Sequence, residues 1–298
     1  MASNYLDQLE DEAIYVIREA ASEFARPALL YSAGKDSSVL LWLARKAFCP
    51  ARISFPLLHI DTGLKFPEMY AFRDHVVAEY GVELLVYSKQ GQGKDRIHPD
   101  VFGTAACCET LKTRGLIEGL RHFGIDAALG GARREEEKSR AKERFFSVRN
   151  HQGVWDPRKQ RLEIGKTFNS RLSKGDSMRV FPLSNWTELD IWRYIEREEI
   201  EVSPLYFSAL RQGVERNGMF FETPASTDPN LSAGVVQKEV RYRTLGCMPC
   251  TGGICSTAAT IKEVIQELEA VKISERSTRL IDHDGEGSME KKKRRGYF

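Results

Sequence analysis

The sequence predicts an α/β fold, with a doubly wound, mainly parallel sheet followed by a C-terminal extension. Short apolar runs alternate with longer amphipathic segments through residues 6–131, which is typical of parallel strands covered by helices on both faces. The chain has 298 residues, 42% of them hydrophobic and 29% charged, which suits one large α/β domain with an added segment. We therefore divide the chain into a domain over residues 1–210 and an extension over residues 211–298.

The alternation assigns the elements of this sheet in order. A helix over residues 6–25 precedes the first strand. Strands are expected at 28–31, 55–61, 82–87 and 127–131, with helices between them at 39–46, 66–80 and 110–123. Pro67 near the start of one helix and Gly81 just after its end are typical helix boundaries. Because ligands bind such sheets at the carboxyl ends of the strands, we expect a shared site there.

The second half of the sequence is less regular. Residues 150–180 are polar and interrupted by glycine and proline, which predicts a loop that serves as a mobile lid. Thr187 followed by Asp190 resembles a capping box and predicts a helix start. The remaining segments are an irregular stretch at 211–240, a last helix at 257–271 and a basic tail at 282–298. The tail fits either a solvated end or a contact with nucleic acid or an acidic partner.

A seven-residue turn, Ser32–Ser38, lies between the first strand and the next helix. A turn of small residues at this place directs backbone N–H groups and the positive end of the helix dipole toward one point, which suits a phosphate. Gly34 allows an anion to approach the backbone, and the serine hydroxyls add donors. The spacing of a Walker A loop is missing, so a different kind of phosphate loop is indicated.

Two further groups follow strands of the predicted sheet. Asp61 ends the second strand, where a carboxylate can hold Mg²⁺ on a polyphosphate or accept a hydrogen bond from a nucleoside. Arg133 and Arg134 follow the strand that ends near Gly131. Arginine binds phosphate or sulfate through two parallel hydrogen bonds, so this pair is a candidate site for an acceptor oxyanion.

The turn resembles the Ser-Gly-Gly-x-Asp-Ser loop of the PP-loop ATP pyrophosphatases, with Ala33 in place of the first glycine. This resemblance implies an enzyme that cleaves ATP between the α and β phosphates, with Mg²⁺, and transfers AMP to an acceptor. It implies that the nucleotide is bound by Ser32, Ala33, Gly34, Ser37, Ser38 and Asp61. The implied catalytic residues are Lys35, Asp36, Arg133 and Arg134.

Longer blocks at 59–63, 131–144, 180–192 and 281–293 resemble the small subunit of bacterial sulfate adenylyltransferase. This resemblance implies a cytoplasmic subunit that makes adenylyl sulfate from ATP and sulfate with the help of a GTPase large subunit. A cytoplasmic location is also expected because no apolar run approaches the ~18 residues of a membrane span and no secretory signal is evident. No membrane partner is expected.

Six cysteines in a cytoplasmic chain indicate metal ligands, redox groups or buried thiols rather than disulfides. Four of them form two pairs, Cys107-Cys108 and Cys247-Met248-Pro249-Cys250. Four thiolates suit a [4Fe–4S] cluster or a tetrahedral zinc ion, and four buried structural thiols are the third option. The pattern resembles that of the assimilatory adenylyl-sulfate reductases, which implies the [4Fe–4S] cluster and leaves zinc as the alternative. Cys255 fits either a spare thiol that carries a persulfide or a buried cysteine that is not a ligand, and Cys49 receives no assigned role.

A phosphate loop combined with a thiolate cluster indicates sulfur transfer. The combination resembles the ATP pyrophosphatases of DNA phosphorothioation systems, which implies a cysteine desulfurase and DNA as partners. DNA phosphorothioate formation is therefore the leading hypothesis. The alternative is a sulfate adenylyltransferase small subunit with its GTPase partner, and a third hypothesis is a scaffold that binds nucleotide without turnover.

Overall fold

A six-stranded sheet forms the centre of the structure, a computed structural model. Its strands are β1 Pro27–Leu30, β2 Leu57–Asp61, β3 Leu84–Ser88, β4 Ala127–Leu129, β5 Phe146–Arg149 and β6 Ser177–Val180. The strand order is β3-β2-β1-β4-β6-β5, and only β5, at the edge, runs antiparallel to its neighbour. The predicted doubly wound, mainly parallel sheet is therefore confirmed.

The structure describes residues 2–93, 96–137, 140–160, 163, 170–216, 218–223, 234–270 and 275. Its helices are α1 Ala2–Glu23, α2 Lys35–Phe48, α3 Pro67–Tyr80, α4 Pro99–Phe102, α5 Thr104–Cys108, α6 Gly115–His122, α7 Glu188–Glu198 and α8 Ile261–Ala270. A π-helical segment, Glu109–Arg114, joins α5 to α6. None of the described helices is long and apolar enough to cross a membrane.

Both faces of the sheet are covered, because successive strand residues point to opposite sides. On one face, Leu29 and Leu57 belong to a large core that includes apolar residues of α1, α2, α3 and α7. On the other face, Ala28 and Leu58 pack with Leu116 and other residues of α6. These burials explain why the first strands are apolar in nearly every position.

Most of the predicted helices and strands are present, with shifted ends. α3 matches its predicted range within one residue, whereas α1 begins four residues earlier than predicted; Gly81 ends α3 with a positive φ of 58°. The helix predicted over 110–123 is longer, since helical structure begins at Thr104. β6 lies inside the segment predicted as a loop over 150–180. Within that segment, residues 161–162 and 164–169 lie outside the described residues, as does the basic tail over 282–298.

The prediction of irregular structure over residues 211–240 was wrong for the part of the chain that is described. An antiparallel sheet in the order β10-β9-β7-β8 is built from β7 Ala209–Arg216, β8 Met219–Glu222, β9 Val235–Arg241 and β10 Ile254–Cys255. Most positions of β7 and β9 are exposed or only partly buried, so they lack the apolar alternation that signals a strand. The predicted division after residue 210 falls within β7.

Candidate functional site

A cavity of about 250 Å³ lies at the carboxyl ends of β1, β2 and β4. The chain leaves β1 toward β2 on one side, while β4 pairs with β1 on the other, so the cavity is at the switch point of the sheet. It is lined by three of the predicted site residues, Ser32, Asp36 and Ser37, and by Gly130, Gly131 and Ala132 after β4. The expectation of a shared site at the strand ends is thus met by the geometry.

The turn after β1 is held by its own hydrogen bonds. The Ser37 hydroxyl accepts from the Gly34 N–H at 3.1 Å and donates to the Gly34 carbonyl at 2.8 Å. The N–H of Lys35 donates to the Tyr206 hydroxyl at 2.7 Å. Ala33 is fully buried and has a φ of 59°, in the left-handed region that glycine favours. The turn is therefore preformed, and its first small residue carries the backbone strain.

Asp36 is the second residue of α2, and two cations fix its side chain. The Arg133 Nε donates to one Asp36 carboxylate oxygen at 2.7 Å, and the Lys35 Nζ lies 3.4 Å from the other. A Cβ on Gly131 would lie 3.0 Å from the Asp36 Cβ, so glycine at this position lets β4 and α2 approach closely. Asp36 thus keeps a carboxylate at the cavity wall in a single orientation.

Lys35 and Arg133 are both buried, and their charges are balanced inside the protein. Both form ion pairs with Glu275, and the Lys35 Nζ also donates to the Arg243 carbonyl at 3.1 Å. Burial alone lowers the pKa of Lys35, but the carboxylates of Asp36, Glu275 and Glu188 raise it above its ordinary value. Lys35 and Arg133 therefore stay charged and orient Asp36 from behind the cavity surface.

Sequence reasoning missed three members of this network. Glu275 is 5% exposed, and despite its burial Arg133 and Lys35 lower its pKa to about 2. Burial and the nearby Glu275 carboxylate raise the pKa of Glu188, which accepts from Arg243 at 2.6 Å. Glu188 was detectable as a first-turn acid of a predicted helix, whereas no motif marks Glu275.

Three predicted site residues lie away from the cavity wall. Arg134 stacks on the Phe145 ring and donates to the Asn185 side chain. Asp61 accepts from the Tyr70 hydroxyl at 2.7 Å and the Gly63 N–H at 2.8 Å; these bonds outweigh burial and lower its pKa. Ser38 faces a separate cavity of about 200 Å³ between α2 and α3. Their predicted roles stay predictions.

Positively charged side chains and a hydroxyl also line the main cavity. Lys65, Lys112 and Arg140 line it together with Thr113. Lys112 and Thr113 belong to the π-helical segment, and such segments are frequent at functional sites. Arg140 lies within the block at 131–144 and begins a short 3₁₀ helix. The cavity thus combines cationic groups with the turn that follows β1.

The four paired cysteines converge beside the cavity. Cys107 and Cys108 end α5, while Cys247 precedes the 3₁₀ turn Met248–Cys250 and Cys250 ends it; all four are buried, and none forms a disulfide. The Thr62 hydroxyl lies 3.2 Å from the Cys247 sulfur, and Lys112 hydrogen-bonds the same sulfur. Lys112 also lines the cavity, so the thiol cluster (these four cysteines) adjoins the candidate nucleotide site.

The thiol cluster has the donor set for a soft metal. Burial and the neighbouring thiols raise the pKa of Cys107 to about 11 and that of Cys250 to about 12. Burial also acts on Cys247, but Lys112 and Lys65 lower the pKa of that thiol.

A single zinc ion holds its sulfur ligands close together. Zinc at ~2.3 Å from each sulfur brings its ligands within about 4 Å of one another. Among the described residues, the three ligand atoms found within 4.8 Å of one another belong to exposed His75, Glu79 and Glu201, and not to the thiol cluster. No three sulfurs of the thiol cluster therefore lie as close together as a bound zinc ion would hold them.

The sequence is similar to curated proteins over almost its whole length. Residues 26–253 match the phosphoadenosine phosphosulfate reductase domain family. A protein from Yersinia pestis (strain Pestoides F) named sulfate adenylyltransferase subunit 2 is 54% identical over 295 residues, which cover 99% of this chain and 98% of that protein. A protein of the same name from Azotobacter vinelandii is 51% identical over 299 residues, with the same coverage of 99% and 98%.

Among solved structures, FMN adenylyltransferase from Candida glabrata matches with a TM-score of 0.50 and 15% identity. The match covers 93% of this chain and 88% of that one, and it shows a shared fold. The leading hypothesis of DNA phosphorothioate formation was wrong, because relatives more than 50% identical across 99% of the chain are named as a subunit of a different enzyme. The predictions of a cysteine desulfurase and DNA as partners depended on that hypothesis and were wrong for the same reason.

Proposed function

We propose that this chain makes adenylyl sulfate from ATP and sulfate. The premise is that it belongs to the sulfate adenylyltransferase subunit 2 family and to the phosphoadenosine phosphosulfate reductase domain family. The observation that carries the proposal is the similarity over 99% of the chain to proteins of that name. The preformed turn after β1 and the cationic side chains that line the same cavity support the same chemistry. A sulfate oxygen would attack the α phosphorus, and pyrophosphate would leave with the electrons of the broken P–O bond.

The residues of the cavity suit these roles. The turn at Ser32–Ser37 and the start of α2 would bind the β and γ phosphates, because the helix dipole and the serine hydroxyls favour anions there. Asp36 would hold Mg²⁺, which when bound neutralises phosphate charge. Lys35 and Arg133 would act by fixing Asp36, since both are buried in ion pairs. Asp61 remains our candidate for a nucleoside contact.

We also propose that the chain works with a second subunit, a GTPase, in the cytoplasm. The relatives are named as subunit 2, which supports a multi-subunit enzyme. The proposal predicts that full activity requires the partner subunit and GTP.

Product analysis with α-labelled ATP tests the proposed reaction. The chain and its partner subunit, supplied with GTP, are expected to form adenylyl sulfate and pyrophosphate only when sulfate is present. Asp36→Ala is expected to lower the rate at least ~100-fold, because the carboxylate held for Mg²⁺ is lost. Asp74→Asn, an exposed change on α3, is the matched control and is expected to keep the wild-type rate. Formation of ADP and phosphate, or AMP release independent of sulfate, contradicts the proposal.

We further propose that the thiol cluster holds a [4Fe–4S] cluster. Support comes from four buried cysteine thiols on two segments, which is the ligand set of such a cluster. Protein purified without oxygen is expected to contain iron and sulfide and to absorb visible light. Cys107→Ser and Cys250→Ser are expected to lose the iron, whereas the exposed thiol change Cys255→Ser keeps it. Stoichiometric zinc without sulfide, or no metal at all, overturns the proposal.

A further inference from the structure

The arginines expected to bind the acceptor do not reach the cavity. Arg133 is committed to Asp36, Glu135 and Glu275 and is 1% exposed. Arg134 stacks on Phe145 at 4.9 Å from the ring centre. If the reaction uses a second anion beside the nucleotide, other donors must bind it.

Arg140 lines the cavity in their place. It is 7% exposed, so its guanidinium is almost fully removed from water. Its Nη1 lies 3.5 Å from a Glu136 carboxylate oxygen, which orients the group. Its Nε is buried and makes no hydrogen bond within the described chain. A buried N–H without an acceptor is unfavourable, and a bound anion supplies that acceptor.

Thr113 supplies a second donor in the lining of the same cavity. Its side chain is only 2% exposed, and its hydroxyl makes no hydrogen bond within the described chain. It follows Lys112 in the π-helical segment, and both residues line the cavity. The cavity lining therefore includes a guanidinium group, a hydroxyl and an ammonium group. These groups can donate hydrogen bonds to the oxygen atoms of a small tetrahedral oxyanion.

We propose that Arg140 and Thr113 form the subsite for the acceptor oxyanion, a tetrahedral dianion of the sulfate class. This inference rests on the proposed function and names the residues that select its second substrate. The dianion needs no deprotonation: one of its oxygens forms the bond to the α phosphorus, and the bond from that phosphorus to the bridging oxygen of pyrophosphate breaks. Arg140 orients the other oxygens and offsets the repulsion between the dianion and the phosphates.

Steady-state kinetics of the enzyme with its partner subunit separate the two substrates. Arg140→Ala is expected to raise the KM for sulfate by about 10- to 100-fold and to change the KM for ATP less than about threefold, because a hydrogen bond to a charged group is lost. Arg140→Lys is expected to recover part of the loss. Thr113→Val is expected to raise the KM for sulfate severalfold, and Thr113→Ser to restore it.

Two cations outside the cavity serve as controls. Lys142→Ala and Arg158→Ala are expected to leave the KM for sulfate within about twofold of wild type, because neither side chain lines the cavity. Thermal unfolding of every variant checks that the fold is retained. Equal increases in both KM values for Arg140→Ala, or an unchanged KM for sulfate, overturn the subsite.

Direct binding distinguishes failure of the subsite from failure of the proposed function. Equilibrium dialysis with labelled sulfate is run in the presence of a non-cleavable ATP analogue. If the wild-type enzyme binds sulfate but forms no adenylyl sulfate, the proposed reaction fails; loss of binding in Arg140→Ala then still supports the subsite. If the wild-type enzyme reacts and Arg140→Ala binds sulfate as tightly as wild type, only the subsite is wrong.

Discussion

At the scale of single residues, Ala33 carries the strain of the phosphate loop. Its φ of 59° lies in the left-handed region, and its side chain is fully buried. An L-residue in that region costs ~1–2 kcal/mol, which explains why related loops use glycine here. Gly34, by contrast, has an ordinary φ of −93°, and a Cβ there would lie 3.3 Å from the Ser32 and Tyr206 oxygens. The two small residues of the loop are therefore required for different reasons.

Substitutions at Ala33 test this account. Ala33→Gly is expected to change the free energy of unfolding by less than ~1 kcal/mol, because relief of strain is offset by greater freedom of the unfolded chain. Ala33→Val is expected to destabilise by more than ~2 kcal/mol, because a β-branched residue tolerates positive φ poorly and no space is available. Urea unfolding measures both. The control is Ala51→Val, an exposed position with negative φ, and an equal loss there contradicts the account.

At the scale of elements, α7 shows what the sequence could predict locally. The Thr187 hydroxyl accepts from the Asp190 N–H at 3.1 Å, and the Asp190 carboxylate accepts from the Thr187 N–H at 2.9 Å. The capping box predicted from these two residues is confirmed. It fixes the first turn of α7, where Glu188 joins the buried ion network. The capping-box pattern thus predicted where α7 begins, although the role of α7 in the site depends on residues distant in the sequence.

Removal of the cap is expected to weaken α7. Thr187→Ala is expected to lower the free energy of unfolding by about 1 kcal/mol, because the Asp190 N–H loses its acceptor. Thr187→Ser keeps the hydroxyl and is expected to stay within about 0.5 kcal/mol of wild type. Denaturant titrations of the three proteins measure the difference. A Thr187→Ser variant as unstable as Thr187→Ala would show that packing of the methyl group, and not the cap, is responsible.

The parts of the fold that could be predicted are those with local or repeating signals. The apolar strands of the main sheet and their connecting helices follow from burial on both faces. β7 and β9 could not be predicted this way, because their pairing leaves most of their side chains at the surface. Within the site, the phosphate loop and the cysteine pairs are marked by motifs. Arg140 lies in the block at 131–144 but receives no role from the sequence, and no motif marks Glu275, since the roles of both arise only when distant segments meet.

At the scale of the whole molecule, one buried ion network connects the two ends of the chain. Glu275 pairs with Lys35, which is 240 positions earlier, and with Arg133, which is 142 positions earlier. Glu188 and the Arg243 carbonyl complete the surroundings of Lys35. Two buried cations therefore depend on acids contributed by other parts of the chain, and the position of Asp36 depends on all of them.

Neutralising one acid of this network is expected to lower the free energy of unfolding far more than breaking a surface ion pair does. Glu275→Gln is expected to lower the free energy of unfolding at pH 7 by about 3 kcal/mol, because Lys35 and Arg133 lose a buried counter-charge. The control is Glu269→Gln, which breaks the exposed pair with Arg193 and is expected to cost less than ~1 kcal/mol. Urea unfolding measures both variants against wild type.

The same comparison has a defined pH dependence. Because the network lowers the pKa of Glu275 to about 2, its stabilising effect is complete above the ordinary value of 4.5 and is lost as the pH falls from 4.5 toward 2. The stability gap between wild type and Glu275→Gln is therefore expected to narrow by about 1 kcal/mol between pH 7 and pH 3.5. A gap that stays constant over this range would show that Glu275 contributes through packing or neutral hydrogen bonds, and that its charge does not hold the cations in place.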